Sequence, residues 1–267
     1  MDVSIIIVNY NTQGLTEQCI KSVITHTAGI GYEIVLVDNA SSSFHAESFK
    51  NEFPQVKLII SDKNLGFAGG NNLGIQHATG QYILLLNSDT YLKDNSITIL
   101  ADHLRSHPKA GVVSGRLIYP DGTHQSVCQR FPSLKYSFFE IFRLQKLLSR
   151  KKAGKILLGA FFDHTENAKA DWVWGTFFMF KSALLKVLPG NKLDETFFMY
   201  CEDVQWCWDF KKLGYEVHYC ANAEVIHLMG GSSGDKKNLI QKNTEIFMQK
   251  NYGKLHWNAI KFLQKLL

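Results

Sequence analysis

The chain has 267 residues, of which 45% are hydrophobic and 20% charged, with 20 glycines and 5 prolines. This composition is typical of a folded globular protein, and it excludes a disordered, collagen-like or coiled-coil chain. No apolar run approaches the roughly 18–20 residues that span a bilayer, and the first residues lack the basic segment of a signal peptide. The sequence therefore predicts a cytoplasmic protein.

The first 120 residues alternate strand and helix patterns. Apolar runs at 3–8, 33–37, 56–60 and 82–86 predict four strands, and a helix is predicted over 15–25. Near-continuous apolar strands separated by helices predict a parallel sheet that is covered on both faces. Ligands bind beyond the carboxyl ends of the strands in such sheets, so the polar residues that follow each strand are the candidates for chemistry.

Three of these strand ends carry informative residues. Asp38 follows the second strand and suits either hydrogen bonding to a base or ribose, or a turn. The glycine-rich segment 64–74 opens a helix whose N-terminal N–H groups are expected to face a phosphate, although it matches neither G-x-G-x-x-G nor a P-loop. Residues 87–89 read N-S-D, and Asp89 suits either a Mg²⁺ or Mn²⁺ site beside a diphosphate or a helix cap.

The second half of the chain is less regular. Glu202 and Asp203 open a predicted helix after the aromatic run 197–200, where the helix dipole favours carboxylates in any case. Their position also suits a general base beside an aromatic wall. The predicted elements are a strand at 111–119, a basic Phe- and Leu-rich helix at 134–161, a buried strand at 171–180, a helix at 202–213 and a strand at 216–227.

Positive charge is concentrated in two segments, although the net charge is only +5. Residues 134–161 hold seven Lys or Arg and one Glu, and residues 250–267 hold four Lys and no acid. Such clusters predict either a surface for an anionic partner or an ordinary solvated face. An amphipathic helix over 250–267 would lie on an anionic membrane or, more commonly, dock on the domain core. Its apolar face holds Leu255, Ala259, Phe262, Leu263 and Leu266.

Five motifs stand in the order seen in the family 2 glycosyltransferases, which the chain resembles over residues 2–234. The likeness is strongest to their rhamnosyltransferase-like branch, whose acceptor-side segment resembles D-W-V-W-G at 171–175. The motifs are N-Y-N at 9–11, V-D-N-A-S at 37–41, N-L-G-F at 64–67 with N-N at 71–72, L-N-S-D at 86–89 and E-D at 202–203.

The resemblance implies an α/β fold of the GT-A type, a Rossmann-like, mostly parallel sheet flanked by helices in a single domain with C-terminal helical additions. The GT-A domain would span 1–234, with a nucleotide-sugar half at 1–120 and an acceptor and catalytic half at 121–234. The basic amphipathic segment 134–161 would be an insertion in the second half, and 235–267 a helical tail.

The resemblance also implies roles for individual residues in an inverting transfer from a nucleoside-diphosphate sugar. Asp203 would be the base, with Glu202 as second choice, and Asp89 and His227 would hold Mg²⁺ or Mn²⁺. Donor-binding residues would be Asn9, Tyr10, Asp38, Asn64, Gly66, Asn71, Asn87 and Ser88, and acceptor-side residues Trp172, Trp174 and Gly175. Two motifs depart from the family pattern, since the common D-x-D reads N-S-D at 87–89 and E-D-V-D reads E-D-V-Q at 202–205.

The expected function is transfer of a sugar, rhamnose first, from a dTDP- or UDP-linked donor to a glycan or polyprenyl-linked acceptor in bacterial surface polysaccharide synthesis. The basic segments would place the enzyme at the inner face of the plasma membrane, and no motif indicates nucleic-acid binding. One alternative is a catalytically silent, membrane-associated nucleotide-sugar-binding protein. Another is a sugar nucleotidyltransferase, which would carry a Gly- and Arg-rich loop where residues 9–14 read N-Y-N-T-Q-G. The serine-hydrolase pattern G-x-S-x-G at 230–234 has too little chain after it for that fold.

Overall fold

The computed structural model describes residues 1–228 and 236–265, so the glycine-rich segment 230–234 lies outside the described residues. In these two ranges, no helix is long and apolar enough to cross a membrane. The strands are β1 (Val3–Asn9), β2 (Tyr32–Asp38), β3 (Lys57–Ile60), β4 (Tyr82–Asn87), β5 (Thr90–Tyr91), β6 (Ala110–Ile118), β7 (Cys128–Gln129), β8 (Ala168–Ala170), β9 (Trp172–Val173), β10 (Phe177–Lys181) and β11 (Glu216–His227). The α-helices are α1 (Gln13–His26), α2 (Ala46–Glu52), α3 (Gly66–Ile75), α4 (Ser96–Ser106), α5 (Leu134–Ile141), α6 (Arg150–Leu157), α7 (Glu202–Lys212), α8 (Lys236–Tyr252) and α9 (Lys254–Gln264).

One large mixed sheet forms the centre of the molecule. Its order is β3-β2-β1-β4-β10-β6-β11-β5, with β8 paired to β11. Strands β1 to β4 pair in parallel, as do β6 and β11, whereas β10 is antiparallel to both of its neighbours. The apolar runs of β1 and β4 are buried, as expected for strands covered on both sides. The predicted α/β fold is confirmed, and the parallel part of its sheet consists of β1 to β4 together with the pair β6 and β11.

Strand register brings the polar strand ends to one edge of this sheet. Asn9 pairs with Asp38 across β1 and β2, and Val8 pairs with Asn87 across β1 and β4. Since these strands run in the same direction, their carboxyl ends meet at the edge where ligands bind in open α/β sheets.

Helix α3 packs closely against β1 because two of its residues lack side chains. A Cβ atom on Gly70 would lie 2.9 Å from Cγ1 of Val8, and one on Gly74 would lie 2.5 Å from Cγ2 of Ile6. These glycines thus serve helix–sheet packing.

Two predicted elements are interrupted in the structure. The helix expected over 134–161 is divided into α5, a 3₁₀ turn and α6, because Arg143 is left-handed (φ 51°) and the Ser149 hydroxyl accepts a hydrogen bond from the Lys152 N–H to start α6. The strand expected over 171–180 is divided into β9 and β10. Residues 174–176 leave the ladder between them, and the Gly175 N–H turns to Asp203 instead.

The C-terminal helix docks on the domain with a different face from the one predicted. Trp257 and Ile260 of α9 are buried, and the helix packs against α5 and α8. Leu255, Ala259 and Phe262, three residues of the predicted apolar face, remain exposed, and Leu266 lies outside the described residues. Of the two outcomes expected for this helix, docking on the domain is observed, but it does not bury these three residues.

Candidate active site at the carboxyl edge of the sheet

A buried asparagine holds Asp38 in place. Asn9 Nδ2 donates to Asp38 Oδ1 at 2.7 Å, and Asn9 Oδ1 accepts from the hydroxyls of Thr12 and Thr16 at 3.1 and 2.9 Å. Asp38 is buried, whereas Tyr10, the residue after Asn9, is exposed. Because the Asn9 amide is engaged on both sides within the protein, this residue orients the Asp38 carboxylate.

The first amides of α3 and its preceding loop are already hydrogen-bonded. The N–H groups of Leu65 and Gly66 donate to the Oδ1 atoms of Asn39 and Asn64, each at 2.9 Å. The Phe67 N–H donates to the carbonyl of residue 198 at 2.8 Å. The expectation that these particular N–H groups face a phosphate is therefore wrong, since all three have partners within the protein.

Gly66 is required by the protein's own backbone. It has φ +72°, and a Cβ atom there would overlap the Phe198 carbonyl oxygen. Asn71, also predicted to line the donor, is buried and donates from Nδ2 to the Phe67 carbonyl at 2.9 Å. The hydrogen bond from the Phe67 N–H to the carbonyl of residue 198 joins loop 64–67 to the segment that leads to Glu202 and Asp203.

Asp89 and His227 meet where β5 pairs with β11. The register places His227 opposite Thr90, and His227 Nε2 lies 3.4 Å from Asp89 Oδ1. Both residues are buried, with 9% of the surface of Asp89 and 5% of that of His227 exposed. The fold thus brings these two residues together, although they are 138 positions apart in the sequence.

Gln125 fixes the orientation of His227, and no sequence pattern indicated it. The Gln125 side chain donates from Nε2 to the His227 carbonyl at 2.9 Å, so its Oε1, 2.7 Å from His227 Nδ1, is the acceptor. Nδ1 therefore donates to Gln125, and Nε2 is the ring nitrogen that faces Asp89. A histidine oriented in this way through Nδ1 presents Nε2 to a metal ion.

The donor atoms around Asp89 fit a divalent cation that takes its remaining ligands from a substrate. Across the part of the chain that the structure describes, no cluster of three or more His, Cys, Asp or Glu residues could hold a metal alone. Within the same part, the buried Asn87 Oδ1 has no hydrogen-bond partner. Mg²⁺ and its analogues commonly use one or two protein ligands together with phosphate oxygens and water, which is what Asp89 and His227 offer.

Asp203 has the environment of a general base. Its Oδ2 accepts from the Gly175 N–H at 3.0 Å and its Oδ1 from the Val204 N–H at 2.8 Å. Burial raises the pKa of Asp203 to about 6, against the lowering effect of these N–H groups. A carboxylate that stays ionised near neutral pH but has gained basicity suits proton abstraction.

Glu202 is placed differently from its neighbour. It is buried, and its Oε2 has no hydrogen-bond partner among the described residues. Burial, and then the charge of Asp203, raise the pKa of Glu202 well above its usual range. The neutral form of Glu202 is therefore favoured beside an ionised Asp203, which favours Asp203 as the base.

The acceptor-side tryptophans and glycine are not equivalent. Gly175 lies between Asp203 and the ring of Phe67, where a Cβ atom would be 3.5 and 3.1 Å from their nearest atoms. Trp172 donates from Nε1 to the Arg130 carbonyl at 3.1 Å, and Trp174 is half-buried against the core. Gly175 directly contacts the candidate base through its N–H group.

Two consecutive residues before Glu202 have strained backbones. Tyr200 (φ 66°) and Cys201 (φ 73°) are both left-handed without being glycine, a conformation that surrounding contacts must maintain. Asn243 of α8 provides such contacts, since its Nδ2 donates to the carbonyls of Met199 and Tyr200 at 2.9 and 3.0 Å. Helix α8 thereby anchors the turn that presents Asp203.

Replacement of Asn243 by Ala is expected to lower kcat by roughly 10- to 100-fold, because a small displacement of a catalytic group is enough for such a loss. Steady-state kinetics would measure it. Asn251→Ala is the matched control, since Asn251 also lies on α8 but donates to Gln205 and Phe247. Equal losses in the two variants would contradict a specific role for Asn243.

Comparison with known proteins identifies a family and several relatives. The model of the family "Glycosyl transferase family 2" matches residues 4–187. The low-salt glycan biosynthesis hexosyltransferase Agl10 of Haloferax volcanii is 26% identical over 231 residues, which are 85% of this chain and 67% of that protein. The poly-beta-1,6-N-acetyl-D-glucosamine synthase of Staphylococcus epidermidis is 23% identical over 223 residues, which are 81% of this chain and 47% of that protein.

Two further comparisons bear on relatedness and fold. The N-acetylglucosaminyl-diphospho-decaprenol L-rhamnosyltransferase of Mycobacterium tuberculosis is 24% identical over 225 residues, which are 75% of this chain and 68% of that protein. A crystal structure of GalNAc-T7 with UDP, GalNAc and Mn²⁺ matches with a TM-score of 0.63 at 17% identity, over 92% of this chain and 48% of that chain. The chain thus spans between about half and two thirds of the length of these proteins.

The structural match shows that the fold is of the GT-A type, as the motifs implied. The family match covers more than half of the sequence and includes four of its five motifs, all but the E-D pair at 202–203. The protein belongs to glycosyl transferase family 2.

Proposed function

We propose that the carboxyl edge of the sheet transfers a sugar, with inversion, from a nucleoside-diphosphate donor to a hydroxyl group of a glycan or lipid-linked acceptor. The supporting observation is the link between residues 87–89 and the candidate base. The Asn87 N–H donates to the Thr176 carbonyl at 2.9 Å. The N–H of Gly175, the residue before Thr176, donates to Asp203 Oδ2 at 3.0 Å. One short turn therefore connects the diphosphate side of the site to the base.

The reaction follows from these positions. Asp203 takes the proton of the acceptor hydroxyl while that oxygen forms a bond to the anomeric carbon. The bond from this carbon to the diphosphate breaks on the opposite face, and the leaving phosphate oxygen takes the electron pair. Asp89 and His227 would hold Mg²⁺ or Mn²⁺, which neutralises charge on the leaving diphosphate when bound. Asp38, oriented by Asn9, would accept hydrogen bonds from the nucleoside beside Tyr10.

For the donor we propose dTDP-rhamnose first and UDP-sugars second, and for the acceptor a saccharide linked to polyprenyl diphosphate. The L-rhamnosyltransferase of Mycobacterium tuberculosis, which acts on N-acetylglucosaminyl-diphospho-decaprenol, supports rhamnose and this acceptor class. The UDP in the GalNAc-T7 crystals supports the second donor. An acceptor of this class resides in a bilayer, so the enzyme would work peripherally at the inner face of the plasma membrane.

The proposed activity is tested by incubating the protein with each donor, Mn²⁺ or Mg²⁺ and a short-chain N-acetylglucosaminyl-diphospho-polyprenol. We expect release of the nucleoside diphosphate and a product heavier by one sugar, detected by mass spectrometry. Pyrophosphate release from a sugar phosphate and a nucleoside triphosphate would support a nucleotidyltransferase instead. Donor binding without transfer to any acceptor would support a catalytically silent binding protein.

Gln125→Leu is expected to weaken Mn²⁺ binding in the presence of a nucleoside diphosphate by about 10- to 100-fold, the usual effect of losing the hydrogen-bond partner of a metal-binding histidine. Electron paramagnetic resonance of bound Mn²⁺ would measure this change without relying on turnover. Gln129→Leu is the control, because Gln129 lies on the same segment and donates to the Ser126 carbonyl. Unchanged Mn²⁺ affinity in Gln125→Leu would show that Gln125 does not orient a metal ligand.

A further inference from the structure

Two helices that pack against each other both expose large apolar side chains. Helices α5 and α9 are in contact, and Leu147, on the turn that follows α5, is exposed as well. The exposed fractions are 51% for Phe138 on α5 and 57% for Phe142 directly after it, and 87% for Leu255 and 65% for Phe262 on α9. We call these four residues and Leu147 the α5–α9 surface.

The exposure on α9 is not explained by its packing in the domain. Trp257 and Ile260 are buried and anchor the helix. Leu255 and Phe262, seven residues apart and thus two turns along one face, point away from this anchor. Helix α9 therefore has a second apolar face, which a helix that only docks on a core does not need.

The rings on α5 form a comparable unit. Phe138 and Phe142 are one turn apart, and their ring centroids are 4.2 Å from each other. Both remain more than half exposed although their rings, tilted by 41°, are in contact. Exposed apolar clusters of this kind mark interaction sites on soluble domains.

Unpaired cations border these apolar residues. Residues 134–161 contain only one acid, Glu140, and residues 250–267 contain none. Lys151 and Lys155 pair with Glu166, and Lys261 pairs with Glu245. Within 1–228 and 236–265, no ion pair is formed by Lys135, Arg143, Lys146, Lys254 or Lys265.

This combination of apolar rings and free cations selects one class of partner. A second copy seated on the same surface would bring two sets of unpaired cations together, which is unfavourable. An anionic leaflet offers the opposite charge, and aromatic side chains are favoured at its interface. We propose that the α5–α9 surface binds the anionic surface of a bilayer, with its apolar side chains inserted at the headgroup level. The binding itself does not rest on the proposed glycosyl transfer, although it would bring the site to a lipid-linked acceptor.

Co-sedimentation with vesicles tests the proposal. We expect the protein to bind vesicles of phosphatidylcholine with phosphatidylglycerol, to bind pure phosphatidylcholine far less, and to be released by high salt, because the attraction between surface charges is screened. The double variant Leu255→Ser/Phe262→Ser is expected to lose binding by at least ~10-fold, since transfer of either side chain out of water is worth about that factor or more. Lys254→Glu/Lys265→Glu is expected to remove the preference for phosphatidylglycerol.

The control double variant is Ile60→Ser/Val187→Ser, whose positions are 54% and 55% exposed but lie outside both helices. It is expected to bind vesicles like the wild type. Equal binding to neutral and anionic vesicles, or unchanged binding in Leu255→Ser/Phe262→Ser, would overturn the proposal. So would dimerisation, seen by light scattering, that depends on Leu255 and Phe262 while vesicle binding is absent. Nucleotide titration of the same samples tests the proposed function separately. A protein that binds a nucleotide but not the vesicles would contradict the membrane proposal and leave the proposed function standing.

Discussion

Replacing Asp203 by Asn is expected to lower kcat at least ~10²-fold while donor affinity stays nearly unchanged, because an amide cannot take the proton of the sugar acceptor's hydroxyl group. The substitution keeps the size of the side chain. It leaves one oxygen to accept from either Gly175 or Val204, both of which donate to the carboxylate in the wild type. Steady-state kinetics and calorimetric titration of the donor would separate turnover from binding.

The pH dependence of the wild type belongs to the same prediction. Burial raises the pKa of Asp203 to about 6, and a base works only when ionised. The value of kcat/KM should therefore rise with pH up to about pH 6 and level off above it, and this limb should be absent in Asp203→Asn.

Glu202→Gln is the matched control for Asp203→Asn. Because burial raises the pKa of Glu202 and so favours its neutral form, an amide of the same size should change kcat only slightly. If Glu202→Gln lost as much activity as Asp203→Asn, or if Asp203→Asn remained active, the assignment of the base to Asp203 would be wrong.

Replacing Asp89 by Ala is expected to have the second large effect, a loss of at least ~10²-fold in turnover together with the loss of any response to Mn²⁺. A divalent ion at a leaving diphosphate stabilises the transition state by several kcal/mol. Asp89→Ala removes one of the two proposed protein ligands and leaves His227 alone. Donor affinity in Mn²⁺ should fall to the wild-type value measured with a chelator.

Asp62→Ala removes an equivalent carboxylate from an exposed position after β3 and serves as the control. It should keep wild-type turnover and Mn²⁺ dependence. Full Mn²⁺ dependence in Asp89→Ala would place the metal elsewhere or exclude it from the reaction.

Strands were predictable from the sequence wherever burial alone determines them. The run at 216–227 predicted β11 with the bounds that the structure has, and the runs behind β1, β2 and β4 were each correct to within a residue or two. A strand covered on both faces must be apolar along its length, so its pattern is local and visible.

Elements shaped by a distant partner were not predictable in this way. Residues 171–180 look like one buried strand, but the Gly175 N–H is engaged by Asp203, 28 positions away, and the ladder breaks there. Residues 134–161 look like one helix, but a serine cap and the left-handed Arg143 divide it. These interruptions depend on hydrogen bonds that apolar periodicity does not report.

The same reason separates the candidate site residues that the sequence indicated from those that it did not indicate. Asp89, Asp203 and His227 stand next to predicted strand or helix ends, where a polar residue attracts notice. Gln125 and Asn243 act only through hydrogen bonds to His227 and to the carbonyls of residues 199 and 200. A glutamine on a loop and an asparagine within a helix carry no signal of such a role in a single sequence.

The most direct test of the account is calorimetric titration of dTDP, UDP and GDP into the wild-type protein, each with and without Mn²⁺. The account predicts that one of these nucleotides binds, and that Mn²⁺ strengthens its binding through Asp89 and His227. Absence of binding by all three, or binding that Mn²⁺ does not affect, would contradict a metal-assisted nucleoside-diphosphate site at the carboxyl edge of the sheet.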